Sequence, residues 1–390
     1  MQELLQPEIQ QFIRLHENED PFHLSLTLAK ANTESWPIKL IIEQIQARQK
    51  AKLKMPGWYQ QPGILFPPPV SVEQASSEIT ARFKSSLVNG KIAVDLTGGM
   101  GVDSHFLSTK FDQVHYVEQD EHLATLAQHN FTTLQLQNVK VHHQTADDFL
   151  SQLSEKVDLI FIDPSRRTQK KVFRLEDSEP NIEKLLPILW KKTSRVLLKS
   201  SPLQDISHAL KLLNQVCEVW VVAIQNDCKE VLYLLSPNQP EITINCHNIK
   251  KESNELFSFQ HDDEATSINY SLPHRYLYEP NVAILKAGAF KSIAAKFDIN
   301  KLHKNSHLYT SDNIIEAFPG RIFKVEKLLQ FSKKAAKHLP AKLNIISRNF
   351  PLSVQKISAK LSIKEGGEQY LIATTLSNNE KKLILASRIS

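Results

Sequence analysis

Short apolar runs alternate with stretches of helical spacing between residue 91 and about residue 235. The runs read IAVDL, VHYVE, VKVHH, VDLIFID, SRVLLK and EVWVVAI. Strands rich in Val and Ile that alternate with helices form parallel sheets covered on both faces. The pattern therefore predicts a doubly wound, Rossmann-like α/β core in this part of the chain.

Helical spacing dominates the chain before this core. Residues 37–54 carry Ile side chains at helical spacing, and Pro37 suits the first turn of the helix. A Pro-rich connector, PGILFPPPV, follows from Pro62. Ser71 and the three residues after it resemble a capping box that opens a helix running to about Leu87. We therefore expect an N-terminal helical domain over residues 1–70.

The last part of the chain mixes the two periods. A helix is predicted over residues 280–297, and Gly366-Gly367 is typical of a turn that joins two strands. Three strands are predicted over residues 343–347, 370–375 and 382–386. We expect a separate α+β domain over residues 239–390, with the α/β core over residues 71–238.

Composition agrees with a folded protein of the cytosol. The chain has 390 residues, of which 41% are hydrophobic and 23% are charged, which fits two or three globular domains. No apolar run reaches the roughly 18 residues that span a bilayer, and the amphipathic, acidic N-terminus is unlike a secretory signal. We expect a cytoplasmic protein with no membrane partner, and its oligomeric state stays open.

Neither the cysteines nor the histidines predict a metal site. Cys217, Cys228 and Cys246 form no CxxC pair. The histidines between residues 105 and 143 come from different elements and lack a facing i, i+4 pair. A GxSxG elbow for a nucleophilic serine is also missing.

The net charge of +5 is unevenly distributed. From Lys301 onward, 16 Lys and Arg stand against 6 Asp and Glu, so this stretch carries +10 and the remainder −5. A basic domain suits a polyanionic partner, most often RNA or DNA. The alternative is a Lys-rich surface that is only solvated.

A glycine-rich turn follows the strand IAVDL and precedes a segment with helical character. Glycines permit a tight turn and bring backbone N–H groups close to a ligand, and the helix N-terminus adds partial positive charge. The predicted cofactor-binding residues of this turn are Asp95, Thr97, Gly98, Gly99 and Gly101. Alone, such a turn identifies no cofactor, because many similar turns bind nothing.

A second signal comes from Glu118, which ends the strand VHYVE nineteen residues beyond Gly99. A carboxylate there can accept hydrogen bonds from both ribose hydroxyls of an adenosine, as it does in nicotinamide-dependent dehydrogenases. Two details favour S-adenosylmethionine (SAM). Ser104 replaces the third glycine of GxGxxG, and Asp95 repels a pyrophosphate but can hold an ammonium group directly or through water. An Asp95 that only stabilises the turn is the alternative.

The segment after the third strand contains two candidates for a residue that borders the adenine of such a cofactor. They are Thr145 and Asp147. We predict that one of them borders the adenine, and a role as a helix cap is the alternative.

The fourth strand, VDLIFID, runs directly into the predicted reaction site. Open α/β sheets bind ligands beyond the carboxyl ends of their strands, so Asp163 should face the same crevice as Gly99 and Glu118 and also meet the cofactor. The predicted catalytic residues are Asp163, Pro164, Ser165 and Arg166. The alternative is an Asp-Pro pair that only ends a strand.

This segment resembles the Asp-Pro-Pro-Tyr type motif of amino-directed nucleic-acid methyltransferases, whose polar oxygens grip the amine to be methylated. Ser165 replaces the second Pro and Arg166 replaces the aromatic residue. Because the stacking ring is missing, the acceptor atom, nitrogen or oxygen, stays open.

Cations dominate the loop that leaves this site. The predicted substrate-binding residues are Arg166, Arg167, Lys170, Lys171, Arg174 and Lys199. Arg can clamp a phosphate with two hydrogen bonds and Lys adds point charge, so a phosphate-bearing substrate is expected. A solvated loop is the alternative, and Lys199, with Ser200 at the end of the fifth strand, either lines the same mouth or only caps the strand.

Several longer strings resemble one family. They are EQASSEITARFK, DLTGGMGVDS, FIDPSRR, LLKSSPLQD, YLYEPNVAILKAGAF, FPGRIFKV and SRNFPLSVQKISAKL. Together they resemble the bacterial class I SAM-dependent methyltransferases that carry a THUMP-like C-terminal domain, over roughly residues 35–390. The resemblance implies a Rossmann-like core that binds SAM and a C-terminal domain related to modules that recognise RNA in tRNA-modifying enzymes.

These observations predict a SAM-dependent methyltransferase that acts on a nitrogen or oxygen of RNA, either tRNA or rRNA. Two alternatives come from other classes of protein. A nicotinamide-dependent oxidoreductase shares the features of Gly99 and Glu118 but has no use for the motif at Asp163. A catalytically silent RNA-binding protein is the other alternative.

Overall fold

A computed structural model describes residues 2–30, 36–166, 178–237, 241–332, 334, 337 and 339–389. The chain separates into two units. The first comprises Met1–Ser200, Lys211–Gln215 and Leu234–Asn238, and the second comprises Ser201–Leu210, Val216–Tyr233 and Gln239–Ser390. The division into domains 1–70, 71–238 and 239–390 stays a prediction.

Helices form the start of the first unit. A 3₁₀ turn at Gln2–Leu5 precedes α1 Pro7–His16, α2 Pro21–Lys30, α3 Ile38–Lys54, α4 Pro56–Gln60, α5 Pro69–Gln74 and α6 Glu78–Ser86. The predicted helix over residues 37–54 is confirmed as α3, with Pro37 just before its first residue. Ile9, Ile13, Ile41 and Ile45 pack into one buried cluster that also includes Leu126, so these helices share a core with the α/β part of the first unit.

The predicted helix from Ser71 to Leu87 is wrong in its start and its continuity. Ser71 lies inside α5, which Pro69 opens, and the chain is extended at Ala75 before α6 begins. The capping residue of α6 is Ser77, whose hydroxyl accepts a hydrogen bond from the Thr80 backbone N–H at 3.2 Å. Ser71 and Ser77 are both candidate N-cap residues. Because α5 already begins at Pro69, Ser71 lies inside that helix and cannot be its N-cap.

Parallel strands form the centre of the first unit. The strands are β1 Gly90–Asp95, β2 Phe111–Glu118, β3 Val139–His143, β4 Leu159–Ile162, β5 Ser165–Arg166, β6 Ser178–Glu179 and β7 Val196–Ser200, and the helices are α7 Val102–Leu107, α8 Glu121–Thr133, α9 Ala146–Gln152 and α10 Ile182–Leu189. Five strands lie in the order β7-β4-β1-β2-β3 and every pair is parallel. The strand order reverses between β1 and β4, which is where open α/β sheets bind ligands.

The second unit contains most of the remaining helices and strands of the chain. Its elements are α11 Ile206–Leu212, β8 Val216–Ile224, β9 Asp227–Leu235, β10 Thr243–Ile249, β11 Asn254–Gln260, a 3₁₀ turn His261–Ala265, β12 Tyr276–Pro280, α12 Val282–Ala287, α13 Ser292–Phe297, β13 Asn300–Lys301, β14 Tyr309–Ser311, β15 Gly320–Gln330, β16 Asn344–Arg348, α14 Val354–Leu361, β17 Gln369–Thr375 and β18 Lys381–Arg388. Four strands lie in the order β11-β10-β8-β9, and a separate seven-stranded sheet runs β13-β14-β12-β15-β18-β17-β16. The predicted strands within residues 343–347, 370–375 and 382–386 are confirmed as β16, β17 and β18.

Two predictions about this second unit are wrong. The helix expected over residues 280–297 is divided into α12 and α13, because Gly288 adopts a left-handed conformation that ends α12. Gly366-Gly367 does not join two long strands. Both glycines have positive φ and lead from α14 into β17, and the helix between β16 and β17 lets these two strands run parallel.

Candidate functional site

The turn after β1 is shaped by the absence of side chains at its glycines. A Cβ atom at Gly98 would lie 2.2 Å from the Tyr116 ring. Gly101 has φ +88°, and a Cβ there would lie 2.6 Å from Phe131. The Tyr116 hydroxyl donates to the Gly99 carbonyl at 2.5 Å, so the buried ring supports the turn from below. The turn can be this tight only because glycine occupies these positions.

Asp95 lies at the end of β1 and is 1% exposed. Its Oδ1 accepts from the Thr97 backbone N–H at 3.1 Å, and its Oδ2 accepts from the Ser104 hydroxyl at 2.6 Å. Burial raises the pKa of Asp95 to about 7, and the negative charges of Asp103 and Asp163 add to this rise while the Ser104 hydrogen bond opposes it. Both oxygens therefore stabilise the turn, and a contact of Asp95 with the cofactor stays a prediction.

Glu118 ends β2 beside this turn. Its Oε2 accepts from the Gly99 backbone N–H at 2.8 Å, and its Oε1 accepts from the Asp120 backbone N–H at 2.9 Å. The side chain is half-buried. Each carboxylate oxygen has two lone-pair sites, so Glu118 keeps acceptor capacity for a ribose hydroxyl while it holds Gly99.

Asp163 follows β4 and lies next to the turn. Its backbone N–H donates to Thr97 Oγ1 at 2.7 Å, and its Oδ2 accepts from Lys199 Nζ at 2.5 Å. Lys199 lies in β7, the strand next to β4. Thr97 therefore links the two strand ends, since it also donates to Asp95, and the structure brings Asp95, Thr97, Asp163 and Lys199 to one edge of the sheet.

The other residues of the predicted reaction motif make no described contact with the glycine turn. Pro164 is buried, and Ser165 is exposed with its hydroxyl donating to the Glu179 carbonyl at 3.4 Å. The Arg166 backbone pairs with Ser178 across β5 and β6, and its side chain lies outside the described part of the structure. Arg167, Lys170, Lys171 and Arg174 lie outside the described residues.

The two candidates for bordering adenine lie at the start of α9. Thr145 is the N-cap of that helix, and its hydroxyl accepts from the Asp148 backbone N–H at 3.1 Å. Thr145 therefore has the capping role that the sequence left as an alternative. Asp147 is exposed in the first turn of α9. A role of either residue toward adenine stays a prediction.

Sequence reasoning missed a buried charge cluster beneath the turn. Lys84, in α6, is 2% exposed and donates to the Ser76 hydroxyl at 3.0 Å. It also pairs with Asp103 at 3.1 Å, in the first turn of α7. The cluster therefore joins α6 to the helix that follows the glycines. Ser76 and Lys84 lie in the string EQASSEITARFK and Asp103 lies in DLTGGMGVDS, but no pattern in the sequence indicates that Lys84 is buried.

No group of three or more His, Cys, Asp or Glu side chains that could hold a metal ion occurs among the described residues. Within the same residues, no helix is both long enough and apolar enough to cross a membrane.

The pH dependence of SAM binding can decide what Asp95 does. If Asp95 holds the ammonium group of SAM, binding favours the carboxylate and releases a proton below the pKa of about 7. We expect SAM affinity to rise as pH increases from about 5.5 to about 7, by up to about tenfold per unit. It should fall again above about pH 8, where an α-amino group loses its proton. Calorimetry at several pH values measures this.

The matched control for this prediction is Asp95→Asn. This variant should lose the rise between about pH 5.5 and about pH 7, since no carboxyl group then titrates in the turn. Equal SAM affinity of the wild-type protein at both pH values would contradict contact with the ammonium group and leave Asp95 as a residue that stabilises the turn.

Comparison with known families places three segments of the chain. Residues 70–214 match a family described as conserved hypothetical protein 95. Residues 276–319 match a ferredoxin-like domain, and residues 320–388 match a THUMP-like domain. No curated protein matches the chain.

Among solved structures, a candidate methyltransferase from Porphyromonas gingivalis W83 matches with a TM-score of 0.89 and 32% sequence identity, covering 98% of each chain. A candidate methyltransferase from Streptococcus mutans in complex with SAH matches with a TM-score of 0.30 and 16% identity, over 41% of this chain and 96% of that one. An rRNA methylase from Streptococcus thermophilus matches with a TM-score of 0.31 and 14% identity, over 40% of this chain and 93% of that one. The last two similarities are too weak to carry an argument.

The fold, the turn after β1 and the match over nearly the whole chain define a Rossmann-like methyltransferase core joined to a THUMP-like domain. The chain belongs to the family of class I SAM-dependent methyltransferases with a THUMP-like C-terminal domain. The prediction of family and fold class from the sequence is confirmed.

Proposed function

We propose that this chain transfers the methyl group of SAM to a nitrogen or oxygen atom of RNA, with tRNA or rRNA as the substrate. The observation that carries the proposal is the meeting of Asp163, Thr97 and Lys199 beside the glycine turn. Family membership supports the chemistry. The match of residues 320–388 to a THUMP-like domain and the charge of +10 after Lys301 support an RNA substrate.

The turn after β1 and the end of β2 fit the cofactor. The residues assigned to SAM are Asp95, Thr97, Gly98, Gly99, Gly101 and Glu118, with Thr145 or Asp147 beside the adenine and Asp163 bordering the cofactor through its backbone. The fit rests on the tight turn that Gly98 and Gly101 permit against the rings of Tyr116 and Phe131, and on the Glu118 carboxylate, which accepts a hydrogen bond from the Gly99 N–H at 2.8 Å. A tight turn with a carboxylate at the end of the neighbouring strand suits an adenosine moiety.

Bound SAM supplies an activated methyl group. The protein has to place a nucleophilic atom of the substrate about 3 Å from that carbon, exclude water and accept a hydrogen bond from the acceptor group. We assign the last role to Asp163. Lys199 fixes one oxygen of this carboxylate at 2.5 Å, and the other oxygen is available to an amine or hydroxyl of the substrate. Pro164, Ser165 and Arg166 complete the proposed reaction loop.

Phosphate contacts are assigned to the cations after this site. Arg166, Arg167, Lys170, Lys171 and Arg174 are the proposed phosphate-binding side chains of the loop. Arg forms paired hydrogen bonds to phosphate and Lys adds charge, so the loop suits a polyanion that enters beside Asp163.

RNA from cells that lack the gene tests the proposal directly. Incubated with the purified protein and SAM labelled in its methyl group, this RNA should take up label, because its target nucleotide is unmodified. RNA from cells that carry the gene is the matched control and should take up much less. Comparison of modified nucleosides in the two RNA pools then identifies the product.

Other outcomes separate the alternatives. Binding of NADH without binding of SAM contradicts methyl transfer and favours an oxidoreductase. RNA binding with no transfer of label to either RNA pool favours a catalytically silent RNA-binding protein.

A further inference from the structure

Three of the strings singled out in the sequence meet at one place in the second unit. Glu279 comes from YLYEPNV, Arg321 from FPGRIFKV and Arg348 from SRNFPLS. Arg348 Nε donates to Glu279 Oε1 at 2.7 Å, and Arg321 Nη2 donates to Glu279 Oε2. One carboxylate therefore holds two guanidinium groups, one on each oxygen.

The backbone fixes this arrangement. Glu279 and Arg321 are directly opposite each other in the antiparallel pair β12–β15. A Cβ at Gly320 would lie 2.2 Å from the Glu279 carbonyl oxygen, so glycine permits the two strands to approach closely here. Arg348 ends β16, which is separated from β12 by β15, β18 and β17 in the order of the sheet. Arg348 therefore reaches Glu279 through its side chain, because β16 forms no backbone pairing with β12.

Burial and charge are unequal among the three side chains. Glu279 is 3% exposed, whereas Arg321 is 30% and Arg348 is 41% exposed. A single Arg suffices to neutralise a buried carboxylate, so the second leaves a net charge of +1 at the surface. Two like charges held side by side repel each other, and an anion bound between them relieves this repulsion.

Each guanidinium group keeps donors for a ligand. Arg321 uses Nη2 toward Glu279, and Arg348 uses Nε toward Glu279 and Nη1 toward the Ser347 carbonyl. Among the described residues, no acceptor bonds to Nε or Nη1 of Arg321 or to Nη2 of Arg348. Arg donors held in fixed orientation form charge-assisted hydrogen bonds to phosphate oxygens, with little loss of side-chain freedom on binding.

We propose that Arg321 and Arg348, held by Glu279, form a binding site for a phosphodiester of RNA in the THUMP-like region. This inference rests on the proposed function, because it takes the substrate to be RNA. Glu279 acts as a positioning residue that orients both Arg side chains, and the site adds a fixed contact to the general positive charge of this region.

RNA affinity measured over a range of salt concentrations tests this site. The probes are unfractionated tRNA and poly(U), the second of which reports sequence-independent phosphate binding. For Arg321→Gln with Arg348→Gln we expect affinity for both probes to fall about tenfold or more. For single-stranded poly(U), each lost phosphate contact reduces the magnitude of the negative slope of log affinity against log salt by about 0.7, so the magnitude should fall by about 1.4. SAM affinity should not change.

Two further variants keep the test interpretable. Loss of both Arg residues leaves Glu279 buried without a partner, so a variant that also carries Glu279→Gln removes the buried charge and should fold while binding RNA as weakly. Lys324→Gln with Lys327→Gln is the matched control, because it removes the same charge from exposed positions of the same strand, β15. We expect it to lower RNA affinity much less.

The outcomes separate this inference from the proposed function. If the wild-type protein binds tRNA and methylates RNA but the Arg variants bind equally well, the phosphodiester site is wrong and the proposed function stands. Equal losses in the Arg variants and in the Lys324 and Lys327 control also overturn it, since general surface charge then accounts for binding. If the wild-type protein binds no RNA, both proposals are wrong.

Discussion

Replacement of Asp163 by alanine is expected to lower methyl transfer by about 10²- to 10⁴-fold while leaving SAM affinity within about threefold. The reason is its position after β4, where its backbone N–H is bonded to Thr97 and its carboxylate to Lys199. The backbone bond to the turn survives the substitution, whereas the acceptor for the substrate group is lost. Single-turnover transfer of labelled methyl groups and calorimetry with SAM measure the two effects separately.

Two companion variants separate contact with the substrate from support of the site. Asp163→Asn keeps the size of the side chain but loses its charge, so transfer should still fall steeply. Lys199→Met leaves the carboxylate in place without its ion pair, and we expect a smaller loss of transfer. A thermal melt checks that each variant folds. Full activity of Asp163→Ala on the unmodified RNA substrate would contradict the role assigned to Asp163.

The strands of the core were predictable because their signal is local. Two of the apolar runs form strands that end in an acidic residue at the edge where ligands bind, since β1 ends in Asp95 and β2 in Glu118. A parallel sheet brings these carboxyl ends together whatever the length of the helices between them. The nearness of Asp163 to the glycine turn was therefore predictable from its place directly after a parallel strand.

Helix starts were less predictable, because neighbouring residues compete for the same role. Ser71 and Ser77 both precede a sequence that suits a helix, and only the conformation at Pro69 and Ala75 decides which of them caps. The break at Gly288 is similar, since a glycine inside a helical pattern either continues the helix or ends it in the left-handed region. Tertiary packing settles such cases.

Contacts between distant side chains were not predictable. Lys84 meets Asp103 under the turn, and Lys199 meets Asp163 across thirty-six residues. An exposed and a buried lysine look alike in a single sequence, and no periodic pattern identifies the partner of either. The candidate site could therefore be predicted as a set of strand ends and a turn, whereas its ion pairs required coordinates.

Glu118→Ala is expected to weaken SAM binding by about 1.5 to 3 kcal/mol, the range for hydrogen bonds to a charged group. This corresponds to about a ten- to 150-fold higher Kd. Two effects combine in this loss. The carboxylate holds the Gly99 N–H at 2.8 Å, and we assign it the ribose hydroxyls as well. Glu118→Asp, which keeps the charge but withdraws it by one methylene, should fall between the wild-type protein and Glu118→Ala.

A ligand that lacks one ribose hydroxyl distinguishes the two effects of Glu118. S-adenosylhomocysteine and its 2′-deoxy analogue are titrated into the wild-type protein and into Glu118→Ala. If Glu118 binds the ribose, the wild-type protein should bind the 2′-deoxy analogue more weakly than S-adenosylhomocysteine. Glu118→Ala should bind the two ligands with nearly equal affinity, because the substitution has already removed the same interaction. If Glu118 only holds Gly99, the two losses add, and the ribose contact is wrong although the residue remains necessary for the turn.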